Sequence, residues 1–213
     1  MEFSHLLEVV GDEPVFDTGL LLASDVHPND VRRQLSRWVG SGRLYQLRRG
    51  LYALAPPFQK VNPHPFLIAN RLVHASYVSL QSALAYYGLI PEAVPLTISA
   101  TTLRPARRDT ALGSYEYRHL KKELFFGYQL TDVADGQQAF VAIPEKALLD
   151  LVYLQPHGDA PEYLRQLRLQ NLERLDLDLL RQLAGRTASR KLRRAADQVN
   201  RLAQAEAQEY KAL

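Results

Sequence analysis

Apolar residues recur at helical spacing early in the chain. Val31, Leu35, Trp38 and Val39 fall on one stripe of a helix that Pro28 can open, because the N–H that proline lacks would be unpaired at the first helical position anyway. Gly40 and Gly42 end that helix. Residues 44–47 and 51–54 then read as two short strands joined at Arg48-Arg49-Gly50, where Gly50 can supply the positive φ of a tight turn. Upstream, Phe3, Leu6, Leu7 and Val10 predict a helix stopped by Gly11. Residues 16–24 predict a second, with Asp17 as N-cap and Leu20, Leu21 and Leu22 as core contacts, and residues 25–27 are short enough to be a turn between helices. Three helices followed by a two-stranded hairpin make a winged helix-turn-helix over residues 1–57.

Prolines 56, 57, 63 and 65 interrupt both periodicities, so residues 58–65 read as a linker. Beyond it, Phe66, Ile68, Leu72 and Val73 suggest a helix, and residues 77–88 a second one closed by Gly88. Strand-like stretches follow at 94–99, 114–119, 125–130 and 139–142, separated by turn residues that include Pro105, Gly113, Gly127 and Asp135-Gly136. A helix opening at Pro144 carries Ala147, Leu148, Leu151, Val152 and Leu154 on its apolar face. Further helices are predicted over 160–171, 175–184 and 188–210. The expected fold is α+β (mixed α/β): the winged helix, then residues 66–213 as a small sheet flanked by helices with a helical tail.

Charge adds what periodicity cannot. The net charge of +3 hides a segregation: residues 1–30 carry Glu2, Glu8, Asp12, Glu13, Asp17, Asp25 and Asp30 with no Lys or Arg, whereas residues 31–60 carry Arg32, Arg33, Arg37, Arg43, Arg48, Arg49 and Lys60 with no acid. On a projection of about 100° per residue, Asn29, Arg33, Ser36 and Arg37 fall opposite the apolar stripe with Arg32 on its flank. Such a face can enter the major groove of duplex DNA, with phosphate contacts from Arg32, Arg43 and the wing-tip pair Arg48 and Arg49, while the acidic half faces away. A second cationic stretch lies at the end of the chain: residues 186–201 hold Arg186, Arg190, Lys191, Arg193, Arg194 and Arg201 against the single acid Asp197. It suits either a solvated docking helix or a further electrostatic surface.

Other chemistry is thinly represented. With no cysteine, disulfides and thiolate metal sites are excluded, and no apolar run suggests a membrane span or leader, so the expected location is the cytoplasm. The six histidines show no metal-ligand spacing, and neither a nucleophile–base constellation nor a glycine-rich phosphate loop is visible, so no catalytic residue, cofactor or metal is expected. Tyr77, Tyr86 and Tyr87 could stack on bases but sit among apolar neighbours and read as core. Glu145 suits a helix N-terminus, and Lys146 and Asp150 have the spacing of an intrahelical ion pair.

Three segments in this order, LSRWVGSGRLYQLRRGLYAL, ASYVSLQSALAYYGLIPE and VAIPEKALLDLVYL, give most of the chain a likeness to a known family. It resembles the AbiEi antitoxins, also described as regulators of viral defence systems. The resemblance implies a winged helix that binds inverted repeats in the promoter of its own operon and represses it, with Arg33, Ser36 and Arg37 on the recognition helix and Arg48 and Arg49 on the wing. It also implies a C-terminal domain that counteracts a nucleotidyltransferase-like toxin encoded alongside. Two alternatives stay open: a nucleic-acid-processing enzyme targeted by its winged helix, which would need clustered carboxylates, and a stand-alone regulator without a toxin partner.

Overall fold

The computed structural model describes residues 2–22, 27–92, 95–134 and 136–211, without the side chains of 206–211. The N-terminal unit comprises α1 (Phe3–Val10), β1 (Phe16–Asp17), α2 (Thr18–Leu21), α3 (Pro28–Gly40), β2 (Leu44–Arg48) and β3 (Leu51–Leu54). Over its described residues 16–22 the predicted second helix is a strand plus one helical turn, residues 23 and 24 lying outside the described residues: Phe16 and Asp17 pair with Tyr52 and Leu51, which makes the wing sheet three-stranded, in the order β1-β3-β2, instead of two-stranded. Asp17 holds the N-cap position of α2 but caps nothing with its side chain, which is drawn off by two arginines described below. Residues 25 and 26 of the predicted inter-helix turn lie outside the described residues.

The remainder comprises α4 (Pro65–Leu72), β4 (Ser76–Val78), α5 (Leu80–Tyr86), β5 (Thr97–Thr101), β6 (Ala106–Thr110), β7 (Gly113–His119), β8 (Tyr128–Ala134), β9 (Gln137–Ala142), α6 (Pro144–Leu154), α7 (Pro161–Gln166), α8 (Leu177–Gly185) and α9 (Arg190–Lys211). Six strands form one mixed sheet, β6-β7-β5-β4-β9-β8, and the protein is α+β. The predicted helix from Tyr77 begins three residues later, because Tyr77 and Val78 pair with Ala100 and Ser99 as strand. Strand β6 carries no periodic signal in the sequence: ARRDT has no apolar alternation and is held by its ladder with β7. Val94 and Asp135, placed in a strand and a turn by sequence, lie outside the described residues.

Two hydrophobic cores meet at the wing sheet. One contains Leu6, Val10, Phe16, Val31, Leu35, Trp38, Tyr52 and Leu54; the other is the large core around the six-stranded sheet, and it includes Val15, Leu47, Leu51 and Ala53. Strand β3 thus alternates between cores, with Tyr52 and Leu54 on one face and Leu51 and Ala53 on the other, as a strand buried on both sides must. The segment between them is tied down as well. Buried Gln137 accepts from the His64 N–H at 2.7 Å and donates to the Asn62 carbonyl at 2.9 Å, while Phe58 packs edge-on to Phe3.

Where β4 and β9 diverge, with Val78–Val141 as their one register pair, the side chain of Asn70 fills in for the ladder. It accepts from the Phe140 N–H at 2.6 Å and donates to the Ser76 carbonyl at 3.4 Å. Asn70→Ala is expected to lower stability by about 2 kcal/mol in urea denaturation, because a buried backbone donor loses its acceptor. An unchanged midpoint would mean that another group takes Asn70's place.

Candidate nucleic-acid interface

Helix α3 is set up by a local pair: His27 accepts from the Asn29 N–H at 3.3 Å and Pro28 occupies the first turn. Val31, Leu35 and Trp38 are buried and Val39 is half-buried, whereas Asn29, Arg32, Arg33, Ser36 and Arg37 are all exposed. Arg33 is held by Asp30 at 2.7 Å. Arg43, just past the helix, is exposed with its guanidinium 4.9 Å above the Phe3 ring, which fixes it beside α1. The wing turn closes at Gly50, φ +81°, whose carbonyl accepts from the Thr18 N–H at 2.9 Å. Arg49 is exposed there.

Arg48 is not at a free wing tip. Its guanidinium is half-buried, donates to the Arg71 carbonyl at 3.1 Å and to the His74 ring at 3.1 Å, and lies 3.7 Å from Asp17, which also binds Arg71 at 2.6 Å. The odd strand register between Gln46 and Arg48 turns this side chain toward α4, a shift that strict alternation could not foresee. Arg48 therefore anchors the wing to the rest of the fold. Nor does the acidic half face away as a block: Asp30 pairs with Arg33, Asp17 with Arg48, and Asp12 with Lys60 at 3.3 Å. Among the described residues, Arg32, Arg37, Arg43 and Arg49 are the N-terminal arginines that make no ion pair.

The C-terminal cationic stretch divides in the same way. Leu192, Ala195, Ala196 and Val199 of α9 are buried as the apolar stripe demands. Lys191 donates to the Tyr153 and Gln155 carbonyls at the end of α6, and burial lowers its pKa, with nearby Asp159 opposing. Arg194 is bound to Asp159 at 2.6 Å. Arg186 lies 4.3 Å over the Phe126 ring but is exposed, as are Arg190 and Arg193, so three of the five residues of this surface present their charge to solvent with no ion pair among the described residues.

The pairing of Lys146 with Asp150 is as spaced in the sequence, but both are buried. Asp150 accepts from the Ser79 hydroxyl at 2.7 Å and the Tyr77 hydroxyl at 2.9 Å, and Lys146 donates to the Tyr77 oxygen at 2.9 Å. Leu80, φ +52°, is the strained residue that turns the chain from β4 into α5 beside Ser79. Burial lowers the Lys146 pKa and raises that of Asp150, their attraction opposing both shifts, and burial next to Asp150 raises Tyr77. Leu124, Phe126, Leu149 and Leu192 close over the cluster, leaving about 10 Å³, the room of one water, so it knits α6 to β4 and offers no space for a substrate. Glu145 is buried too, accepting from the Asp176 N–H at 2.8 Å ahead of α8. Of the three tyrosines read as core, Tyr77 is fully buried and Tyr87 half-buried, whereas Tyr86 is 40% exposed.

Among the described residues no three His, Asp or Glu side chains are placed to share a metal ion, and no helix is long and apolar enough to cross a membrane. The chain matches no protein-family model and no curated protein. In fold it is similar to the crystal structure of the RV2827C protein from Mycobacterium tuberculosis, with a TM-score of 0.55 and 16% sequence identity over 92% of this chain and 75% of that one.

Proposed function

We propose that the protein is a cytoplasmic, duplex-DNA-binding transcriptional repressor that also acts as the antitoxin to a nucleotidyltransferase-like toxin, without catalysis of its own. The observation that carries the DNA reading is the outward face of α3: amide, hydroxyl and guanidinium groups of Asn29, Ser36, Arg33 and Arg37 stand exposed together, on a helix whose other face is buried. Arg32, Arg43 and Arg49 supply phosphate contacts around it. The repressor's operator as inverted repeats, and the antitoxin role, rest on the likeness of the three sequence segments to AbiEi proteins.

Titration of the protein's own upstream DNA at several salt concentrations tests the reading. Removing Arg32, Arg43 or Arg49 should flatten the log–log salt slope by about 0.9 each and weaken all sequences alike. Arg37→Ala should cost about 1–3 kcal/mol on the operator and relax preference at particular base pairs. Arg48→Ala should change stability more than the salt slope, because its guanidinium is spent on Arg71, His74 and Asp17. The combined variant lacking Arg32, Arg37, Arg43 and Arg49 should lose repression and still protect cells expressing the toxin. Operator binding by that variant at wild-type affinity would refute the assignment.

A further inference from the structure

The two edges of the six-stranded sheet are built differently. Edge strand β6 exposes Arg107, Arg108 and Asp109, the kind of charged rim that deters pairing with another chain. Edge strand β8 has no proline and one charged residue, Asp132, and it exposes Tyr128 and Leu130 (53% accessible), with Phe140 of β9 (42% accessible) directly opposite Leu130. These three side chains share one face of the sheet, the rings of Tyr128 and Phe140 meeting edge-on at 5.8 Å. A contiguous apolar patch on an unprotected strand edge marks a covered surface.

The backbone says what can cover it. The Ile143 N–H donates to the Gly127 carbonyl, which starts the β8–β9 ladder with that pair in the hydrogen-bonded class; by alternation Gln129–Val141 and Thr131–Ala139 follow. The N–H and C=O groups of Tyr128, Leu130 and Asp132 therefore point away from β9, toward the open edge. A two-fold axis at Leu130 sets β8 antiparallel to its own copy with Leu130 opposite Leu130 and Tyr128 opposite Asp132, and every one of those outward groups finds a partner. The side chains allow this pairing: each Tyr128 ring stays stacked on Tyr77 of its own chain at 4.5 Å, each Asp132 carboxylate keeps the Gln138 amide at 2.8 Å, no like charges oppose each other, and the two Leu130–Phe140 patches become continuous. The register shift after Asp132 ends the straight segment just where this pairing ends.

We propose that two copies of this chain associate through β8, joining their six-stranded sheets across a two-fold axis at Leu130. No residue of this interface belongs to α3 or the wing, so it stands or falls independently of DNA binding. Sedimentation equilibrium of the full chain without DNA should show a concentration-dependent monomer–dimer equilibrium. Leu130→Lys and Leu130→Glu should each raise the dimer dissociation constant by about tenfold or more, since each sets like charges face to face, and an equimolar mixture of the two should associate at least as tightly as wild type. Leu130→Pro should also weaken the dimer while preserving the melting profile of the monomer, because the N–H it removes bonds nothing within the chain. A chain that stays monomeric at several hundred micromolar, a dimer indifferent to Leu130→Lys, or a charge-reversed mixture that stays monomeric would each overturn the proposal.

Discussion

Replacing Asp150 with alanine is expected to destabilise the folded chain by about 3–5 kcal/mol, because it leaves the ammonium of Lys146 buried without its counter-ion. The surroundings cannot make up the loss. Lys146 would retain the Tyr77 hydroxyl and the rings of Tyr77 and Phe126, 5.4 and 5.1 Å from its nitrogen, but no carboxylate. Ser79 would lose its acceptor as well, next to the strained Leu80 backbone. The double variant Lys146→Met with Asp150→Leu should recover part of the loss, since apolar groups of similar volume remove both charges and both desolvation costs while the Ser79 and Tyr77 hydroxyls still lack their acceptor. Urea denaturation followed by far-UV circular dichroism measures both variants. A loss below about 1 kcal/mol for Asp150→Ala would mean that Lys146 is readily neutralised or reaches water, and that the cluster does not hold α6 to β4.

This cluster marks the limit of reading the sequence alone. The spacing of Lys146 and Asp150 predicts an ion pair on any helix, exposed or not; what buries it is that α6 is covered by α5 on one side and by α8 and α9 on the other, a tertiary fact. The apolar stripe of α3 was legible because Val31, Leu35 and Trp38 obey one period, and the polar face followed from the same arithmetic. Arg48 departs from its sequence reading for a related reason. A dipeptide Arg48-Arg49 at a hairpin turn looks like two equivalent cations, and only the register shift in β2 and the position of α4 distinguish the anchored one from the free one. Asp17 shows the same competition: an acid ahead of a short apolar run reads as a cap, yet Arg71, 54 positions along the chain, offers its carboxylate a stronger partner than a backbone N–H. Asn70 and Gln137 left no sequence signal at all, because one amide bonding to distant backbone has no period and no motif.

Trp38→Ala is expected to cost about 3–5 kcal/mol and to remove DNA binding by loosening the helix that presents the contacts, with no arginine touched. Trp38 is 7% exposed, meets the edge of Phe3 at 5.3 Å, and shares its core with Leu6, Val10, Val31, Leu35 and Leu54. Its backbone carbonyl also accepts from the Arg43 N–H at 2.9 Å and from the Ser41 hydroxyl, so the side chain and main chain of one residue settle both the seat of α3 and the start of the wing. As the single tryptophan of the chain it reports on itself: emission of the wild type should be blue-shifted and poorly quenched by iodide. Because β3 gives Tyr52 and Leu54 to this core and Leu51 and Ala53 to the larger one, the loss should spread beyond the N-terminal unit, and Trp38 fluorescence and far-UV dichroism should report one common unfolding transition in the wild type. Two separated transitions, with tryptophan emission changing well before the dichroism, would show that the shared wing sheet does not couple the cores.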